Sequence, residues 1–250
     1  MFIDTHCHLY KEYYDDINDV INLSKKDGIA LFINAGSDIK SNKEILNQNI
    51  KGLYKVIGYH PEFASSITIN DLELLENQII NNHIVGIGEI GLDYHYEDYD
   101  KEKQINLFEY QLYLAQKYSL PVVIHSRQAT SDTINILKKY LVKGVIHSFS
   151  GSIESAKEYI KMGFLLGVNG VITFKNCKLI EVYKSLGVDN IVFETDSPYL
   201  TPVPLRGKQN YPGNIKYVAN FISKNLNISL NKLSDITNEN VKKCFKISIW

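Results

Sequence analysis

Arginine is almost missing from this chain: Arg127 and Arg206 are its two instances in 250 residues, and the formal net charge is -1. A surface that coats nucleic acid needs many phosphate-neutralising cations, so broad backbone binding is excluded and any nucleic-acid contact must be local. Cysteine is scarce too. Cys7, Cys177 and Cys244 are odd in number and far apart, which makes neither a disulfide framework nor a zinc ribbon and fits a reducing compartment. No apolar run approaches the length of a membrane span, and Met1-Phe2-Ile3 meets Asp4 without a basic start or apolar leader. These absences predict a soluble, cytoplasmic protein with no membrane contact and no evident obligate protein partner. Fixed-period repeats and low-complexity linkers are lacking as well, so residues 1–250 read as a single domain.

What is present is a series of short apolar runs with room for a helix between them. Phe2-Ile3, Ile29 to Ile33, Lys55 to Gly58, Ile84 to Gly88, Pro121 to Ile124, Gly144 to Ile146, Phe164 to Val168 and Ile191 to Phe193 offer eight strands. Several are continuously apolar, as parallel strands buried on both faces are. Helical stripes lie between them: Leu72, Leu75, Ile79 and Ile80 within Asp71 to Ile80, and Ile105, Phe108, Leu112 and Ala115 within Lys101 to Tyr118. The tail predicts further helix over Asn214 to Asn225 and Thr237 to Phe245. Alternation of this kind predicts an α/β fold, a single (β/α)8 TIM-type barrel with C-terminal helices, whose chemistry sits at the C-terminal ends of the strands.

Six residues at the ends of those runs carry metal-binding chemistry: His6, His8, Glu89, His125, His147 and Asp196. Histidine and carboxylate side chains converging at one rim make a cage, and six suit two ions better than one. His6 and His8 are two apart, so an extended chain points both imidazoles the same way and Cys7 the other. An isolated H-x-H is a weak signal, as is one histidine at a loop start. Glu89 lies among three glycines and the apolar Ile87, Ile90 and Leu92, where a carboxylate is costly without something positive nearby; its two oxygens can bridge two cations. His125 and His147 end consecutive strands and suit a second ion. Asp196 ends the last strand beside His6 and His8, where it can hold the first ion and take a proton from water; the plain alternative is a capping Asp before Ser-Pro. Glu194, two residues earlier, can orient a ligand from behind. Glu89 and Asp196 are thus the candidate catalytic groups.

Four more residues read as substrate contacts. His60 in Gly58-Tyr59-His60-Pro61 ends a strand at the same mouth, and Arg127, Arg206 and Lys208 fall on loops of the catalytic face. Arginine's planar fork matches two phosphate oxygens. His83 sits in a turn at the opposite end and His95 in a tyrosine-rich loop, so neither reads as a ligand.

With these residues in place, the chain resembles the TatD family of metal-dependent deoxyribonucleases almost end to end. The carriers are Asp4-Thr5-His6-Cys7-His8, Gly88-Glu89-Ile90-Gly91-Leu92-Asp93-Tyr94, His125-Ser126-Arg127, His147-Ser148-Phe149-Ser150-Gly151, Glu194-Thr195-Asp196-Ser197-Pro198-Tyr199-Leu200 and Arg206-Gly207-Lys208. The resemblance implies a two-ion site with zinc, magnesium or manganese. In it His6, His8 and Asp196 hold the first ion, His125 and His147 the second, and Glu89 bridges them. It implies phosphodiester hydrolysis, often from the 3′ end of single-stranded DNA, which makes DNA ends the expected partner. The chain departs from the family pattern at Tyr211, where Glu is usual, at Ser148, a frequent Cys, and at Glu62, where another His is common. A competing expectation on the same scaffold is hydrolysis of a non-phosphate ester or amide, such as a D-aminoacyl-tRNA.

Overall fold

In the computed structural model, which describes residues 1–248, eight strands run in the order of the sequence: β1 (Phe2–Cys7), β2 (Ile29–Ala35), β3 (Leu53–Ile57), β4 (Gly86–Asp93), β5 (Val122–Arg127), β6 (Gly144–Ile146), β7 (Leu165–Val168) and β8 (Ile191–Phe193). Residues 249 and 250, part of the expected single domain, lie outside the described residues. Every neighbouring pair is parallel. The ring closes just past β8: the His8 N–H donates to the Ser197 carbonyl at 2.8 Å, and the Asp196 N–H to the His6 carbonyl at 2.9 Å. The expected TIM-type barrel is what the chain forms.

Helices fill the connections: α1 (Ile17–Lys26), α2 (Ile39–Leu46), α3 (Ile69–Asn81), α4 (Lys101–Tyr118), α5 (Thr130–Leu137), α6 (Ile153–Lys161) and α7 (Leu179–Leu186), then α8 (Ile215–Leu226) and α9 (Leu230–Phe245). Their starts follow capping chemistry. Asp16, Asp38, Thr68, Asp100, Ser152 and Ser229 each accept a backbone N–H of the first turn, satisfying donors that a helix start otherwise leaves unpaired.

The boundaries differ from the sequence expectation where pairing extends a strand beyond its apolar run. β1 runs on to Cys7 and β4 to Asp93, because Asp93 still pairs with Arg127 of β5. Glu89 and His125 therefore sit inside strands, not past their ends. The tail helix α9 starts at Leu230, well before Thr237, because Ser229 caps it there. Ile80, expected on the packed stripe of α3, is 60% exposed while Leu75 and Ile79 are buried; a residue adjacent to Ile79 is turned by roughly 100° around the helix.

Two apolar clusters hold the architecture. The larger packs helix faces, among them Leu75, Phe108, Leu112 and Ile222, against the outside of the sheet. The smaller gathers Ile3, Leu31, Ile33, Val56, Val123, Val145 and Val192, with Val241 and Phe245 of α9 against it. Strand side chains alternate, so Val123 and Val145, two residues before His125 and His147, line the same inner face. The barrel is thus filled below by branched apolar side chains, and its polar groups are confined to the mouth above.

Candidate metal centre

His6 is buried beneath the mouth, and its Nε2 lies 3.1 Å from His8 Nε2, 3.2 Å from Glu89 Oε2 and 3.7 Å from Asp196 Oδ1. His8 Nε2 is 3.3 Å from the same Asp196 oxygen. His147 stacks on His6 with ring centroids 3.7 Å apart, and its Nε2 lies 3.7 Å from Asp196 Oδ1 and 3.9 Å from Glu89 Oε1. Three imidazoles and two carboxylates therefore face one point. On the other side of Glu89, Oε1 is 2.8 Å from His125 Nδ1 and 3.8 Å from His60 Nε2.

Neighbouring oxygens orient two of the rings, His8 and His147. His8 Nδ1 donates to the Ala35 carbonyl at 3.0 Å, with the Tyr10 hydroxyl beside it at 2.9 Å. His147 Nδ1 lies 3.1 Å from Glu194 Oε1, which also accepts the Ser148 N–H at 2.6 Å. With an oxygen on the Nδ1 side of His8 and of His147, the Nε2 of both rings faces the mouth, the usual arrangement of a metal-binding histidine. Asp196 is aimed by its backbone, which takes φ of +55°, a left-handed conformation that Asp tolerates better than most residues. Gly167 of β7 makes room behind the site: a Cβ there would meet the Glu194 carboxyl carbon at 2.6 Å.

Electrostatics divide the groups. Burial alone would keep His147 neutral, but Glu194, Glu89 and Asp196 outweigh it and raise its pKa to about 10. Burial likewise opposes a charge on His125, and Asp93 with Glu89 lifts it to about 9. Burial works against ionising Glu89 as well; His147, His6 and His125 nevertheless hold it well below the usual carboxylate range. His6 is lowered by burial first and by His147 next. Among the described residues, the positive partners of Glu89 are all imidazoles: His6, His8, His60, His125 and His147.

These donors fit a divalent cation. Two ligands about 2.1 Å from one ion, at right-angled to tetrahedral spacing, lie roughly 3.0–3.4 Å from each other, and the contacts among His6, His8, Glu89 and Asp196 include 3.1, 3.2 and 3.3 Å. Two imidazole nitrogens held at 3.1 Å with their other nitrogen turned away set lone pair against lone pair unless a proton or a cation lies between them.

All six expected ligands are thus brought to one mouth, where His147 Nε2 stands 3.7 Å from Asp196 Oδ1 and 3.9 Å from the Glu89 oxygen that faces His125. His147 lies with His6 and Asp196, while His125 lies with His60 and Asp93. Of the expected substrate contacts, His60 and Arg127 line a cavity of about 640 Å³ above the site, together with Tyr13, Tyr96 and Tyr199. Arg206 and Lys208 are not brought to it. Arg206 is exposed and packs its guanidinium 4.1 Å from the Phe174 ring centroid; the Lys208 backbone closes a turn with Leu205 and Thr201, its side chain exposed. His83 and His95 are exposed and outside the cluster.

Sequence reasoning assigned no role to Asp93, whose Oδ2 lies 3.0 Å from His125 Nε2. The signal was available: Asp93 follows Glu89 by four residues on one strand, so both point the same way. Asp4 was also passed over. Buried two residues before His6, it accepts the His6 N–H, the Thr195 N–H and the Thr195 hydroxyl at 3.2, 3.0 and 2.5 Å, tying β1 to the end of β8.

Comparison with known proteins agrees with this geometry. A family described as TatD related DNase matches residues 3–246. The chain is 39% identical to YabD of Bacillus subtilis, named an uncharacterized metal-dependent hydrolase, over 99% of this chain and 100% of that one. Identity to a similarly named protein of Buchnera aphidicola is 36%, over 98% and 96% of the two chains. Among solved structures, the TatD homologue YjjV of Escherichia coli superposes with a TM-score of 0.94 at 27% identity, covering 99% of this chain and 98% of that one. A TatD family hydrolase of Entamoeba histolytica gives 0.85 at 27%, covering 98% and 97%. A rim of imidazoles and carboxylates with the spacing of cation ligands, on a barrel shared end to end with these relatives, places the chain in the TatD family of metal-dependent hydrolases.

Proposed function

We propose that this hydrolase is a TatD-type deoxyribonuclease that cleaves phosphodiester bonds at single-stranded DNA ends, working from the 3′ end. The observation that carries the reading is the division of Glu89: Oε2 faces His6 at 3.2 Å and Oε1 faces His125 at 2.8 Å. One carboxylate standing between two imidazole groups suits a pair of divalent cations, zinc, magnesium or manganese, with His6, His8, Glu89, His147 and Asp196 at one position and His125 at the other. When bound, such ions supply Lewis acidity that polarises phosphoryl oxygens and makes water nucleophilic near neutral pH.

The chain's own groups do the rest. Glu194 beside His147 and the Ala35 carbonyl beside His8 orient the two rings toward the mouth. Asp196, with Oδ1 among three imidazoles, receives the proton of the attacking water and later returns it. Arg127 stands at the cavity wall, its Nη1 4.0 Å from Asp93 Oδ2 and its guanidinium 5.7 Å from the Tyr96 ring centroid, where it can pair with a phosphate. Tyr13 and Tyr199, joined by a 2.8 Å hydrogen bond between their hydroxyls, offer aromatic surface on the same cavity, and bases stack on such surfaces whatever their sequence. A deep mouth of this size admits a strand end more readily than a duplex.

Glu89→Ala tests the reading. It is expected to abolish nucleotide release from labelled single-stranded DNA while circular dichroism keeps the wild-type shape; retained release would remove Glu89 from the chemistry.

A further inference from the structure

A second cavity, of about 510 Å³, lies at the other end of the barrel. Pro121 directly precedes β5, Lys143 directly precedes β6 and Leu165 opens β7, and all three line it. His125 follows Pro121, and His147 follows Lys143, by the same short stretch of strand, about 13 Å at the usual rise per residue. The height of the barrel therefore separates this cavity from the metal centre.

Its lining combines apolar surface with charge of one sign. Ala115, Leu120, Pro121, Val142 and Leu165 supply the apolar part. Lys143, from the connection between α5 and β6, meets Lys243 and Lys246, from the end of α9, and among the described residues no carboxylate joins them. Lys243 shares Glu239 with Lys242, at 3.5 and 3.9 Å, whereas Lys143 and Lys246 have no ion-pair partner among the described residues. Lysines in the last turn of a helix complement its dipole, which accounts for Lys243 but not for Lys143, a residue of another element. The Lys143 stem lies over bare backbone: a Cβ on Gly163 would stand 3.3 Å from its Cε. Gln116 adds a donor, since its side-chain carbonyl accepts the Leu141 N–H at 2.8 Å and its NH2 remains.

We infer that this cavity binds a small phosphate monoester with an apolar body. The two ammonium groups that lack a carboxylate match the charge of about -1.5 to -2 that such a phosphate carries at neutral pH; a lone carboxylate would leave one of them unmet. Lys143, Lys246 and Gln116 donate to the phosphoryl oxygens, and the apolar lining covers the carbon part. The volume is that of a site for a drug-sized molecule. Nucleoside monophosphates belong to this class, as do phosphorylated aromatic and aliphatic alcohols. The inference rests on the cavity and not on DNA being the substrate of the mouth.

The test is calorimetric titration of the full chain with four probes: deoxyadenosine monophosphate, 1-naphthyl phosphate, inorganic phosphate and 1-naphthol. Metal is first removed with chelator, so that no cation at the mouth attracts phosphate. One saturable site is expected for at least one of the two monoesters, about tenfold tighter than for inorganic phosphate or 1-naphthol. Preference for the nucleotide supports a nucleotide ligand, and preference for the naphthyl ester supports another phosphorylated alcohol. Lys143→Gln and Lys246→Gln should each weaken the preferred monoester about fivefold, the upper range for an exposed charge pair, while Arg127→Ala at the mouth leaves it unchanged. Both lysines are exposed, so the variants should fold, which circular dichroism checks. In a second measurement, the bound monoester should shield Lys143 and Lys246, but not Lys208, from acylation read by peptide mass spectrometry. No saturable binding of either monoester, equal affinity for 1-naphthol, or affinity untouched by both lysine variants would overturn the inference. So would binding lost in Arg127→Ala, which would place the phosphate at the mouth. Failure to degrade DNA leaves these titrations unaffected, so the two readings fail separately.

Discussion

Glu194 Oε1 lies 3.1 Å from His147 Nδ1, and Glu194 is fully buried. A carboxylate in that place fixes the ring that shares the mouth with His6. Groups that orient metal-binding histidines typically contribute about 10–100-fold to metal affinity. Glu194→Gln should therefore weaken cation binding by about that factor, read by metal titration, with little change in the circular dichroism spectrum. Unchanged affinity would reduce Glu194 to a packing role.

Gly167 gives an independent handle on the same contact. Because a Cβ at this position would press on the Glu194 carboxyl carbon at 2.6 Å, Gly167→Ala should displace that carboxylate from His147. Overpacking of this kind costs about 1–3 kcal/mol, so thermal unfolding should show a lower midpoint together with weakened metal binding. A variant as stable as wild type with full metal affinity would mean that the strand yields without moving Glu194.

The basic residues of the mouth should separate. Arg127 lines the cavity and Arg206 packs on Phe174 outside it. A hydrogen bond to a charged group is worth about 1.5–3 kcal/mol, and Arg127 is 46% exposed, which argues for the lower end. Arg127→Ala should raise KM for a single-stranded oligonucleotide about tenfold, whereas Arg206→Ala and Lys208→Ala should leave it within about twofold. Equal effects from all three would place the phosphate on the loop instead.

Tyr211, which stands where the family usually has Glu, ties the last part of the chain to α1 rather than serving the site. Its hydroxyl donates to Asp27 Oδ2 at 2.5 Å, while Lys216 Nζ reaches Asp27 Oδ1 at 2.7 Å. Partial burial works against ionising Asp27, but Lys216 and Tyr211 outweigh it and lower its pKa from 3.8. A lowered carboxylate pKa means stability that is present above the unfolded value and lost as pH falls through the folded one. Tyr211→Phe should cost about 1 kcal/mol at neutral pH, and the gap from wild type in denaturant titrations should shrink below pH 3.8. Metal binding should be unaffected.

Much of this arrangement is legible in the chain itself, because apolar runs at helix-spaced intervals specify parallel strands and because His6, His8, His125 and His147 stand at or near the ends of such runs. Two kinds of information are not. Strand pairing carried β4 on to Asp93, past the apolar run that marked it, so Asp93 stood outside the apparent strand and drew no role. The grouping of ligands depends on ring orientation, which Glu194, Ala35 and Glu89 decide from positions remote in sequence. Arg206 and Lys208 differ in another way: a basic motif on a catalytic-face loop suggested phosphate, yet Arg206 packs on Phe174 and neither side chain lines the cavity, a placement that loop composition does not specify.

The proton-accepting role of Asp196 predicts that Asp196→Asn, which keeps the shape and removes the basicity, lowers kcat by about 10²–10⁴-fold with the fold intact. An unreduced rate would move that role to another group.

The central claim is that cations gathered around Glu89 enable cleavage at a strand end. It is tested most directly on single-stranded DNA labelled at the 3′ or the 5′ terminus, with the protein stripped of metal and then given zinc, magnesium or manganese singly. The account predicts no release after stripping, restored release with at least one ion, and mononucleotides appearing first from the 3′ label. Release that persists without metal, or none with any ion while an ester or amide such as D-aminoacyl-tRNA is hydrolysed, would contradict it.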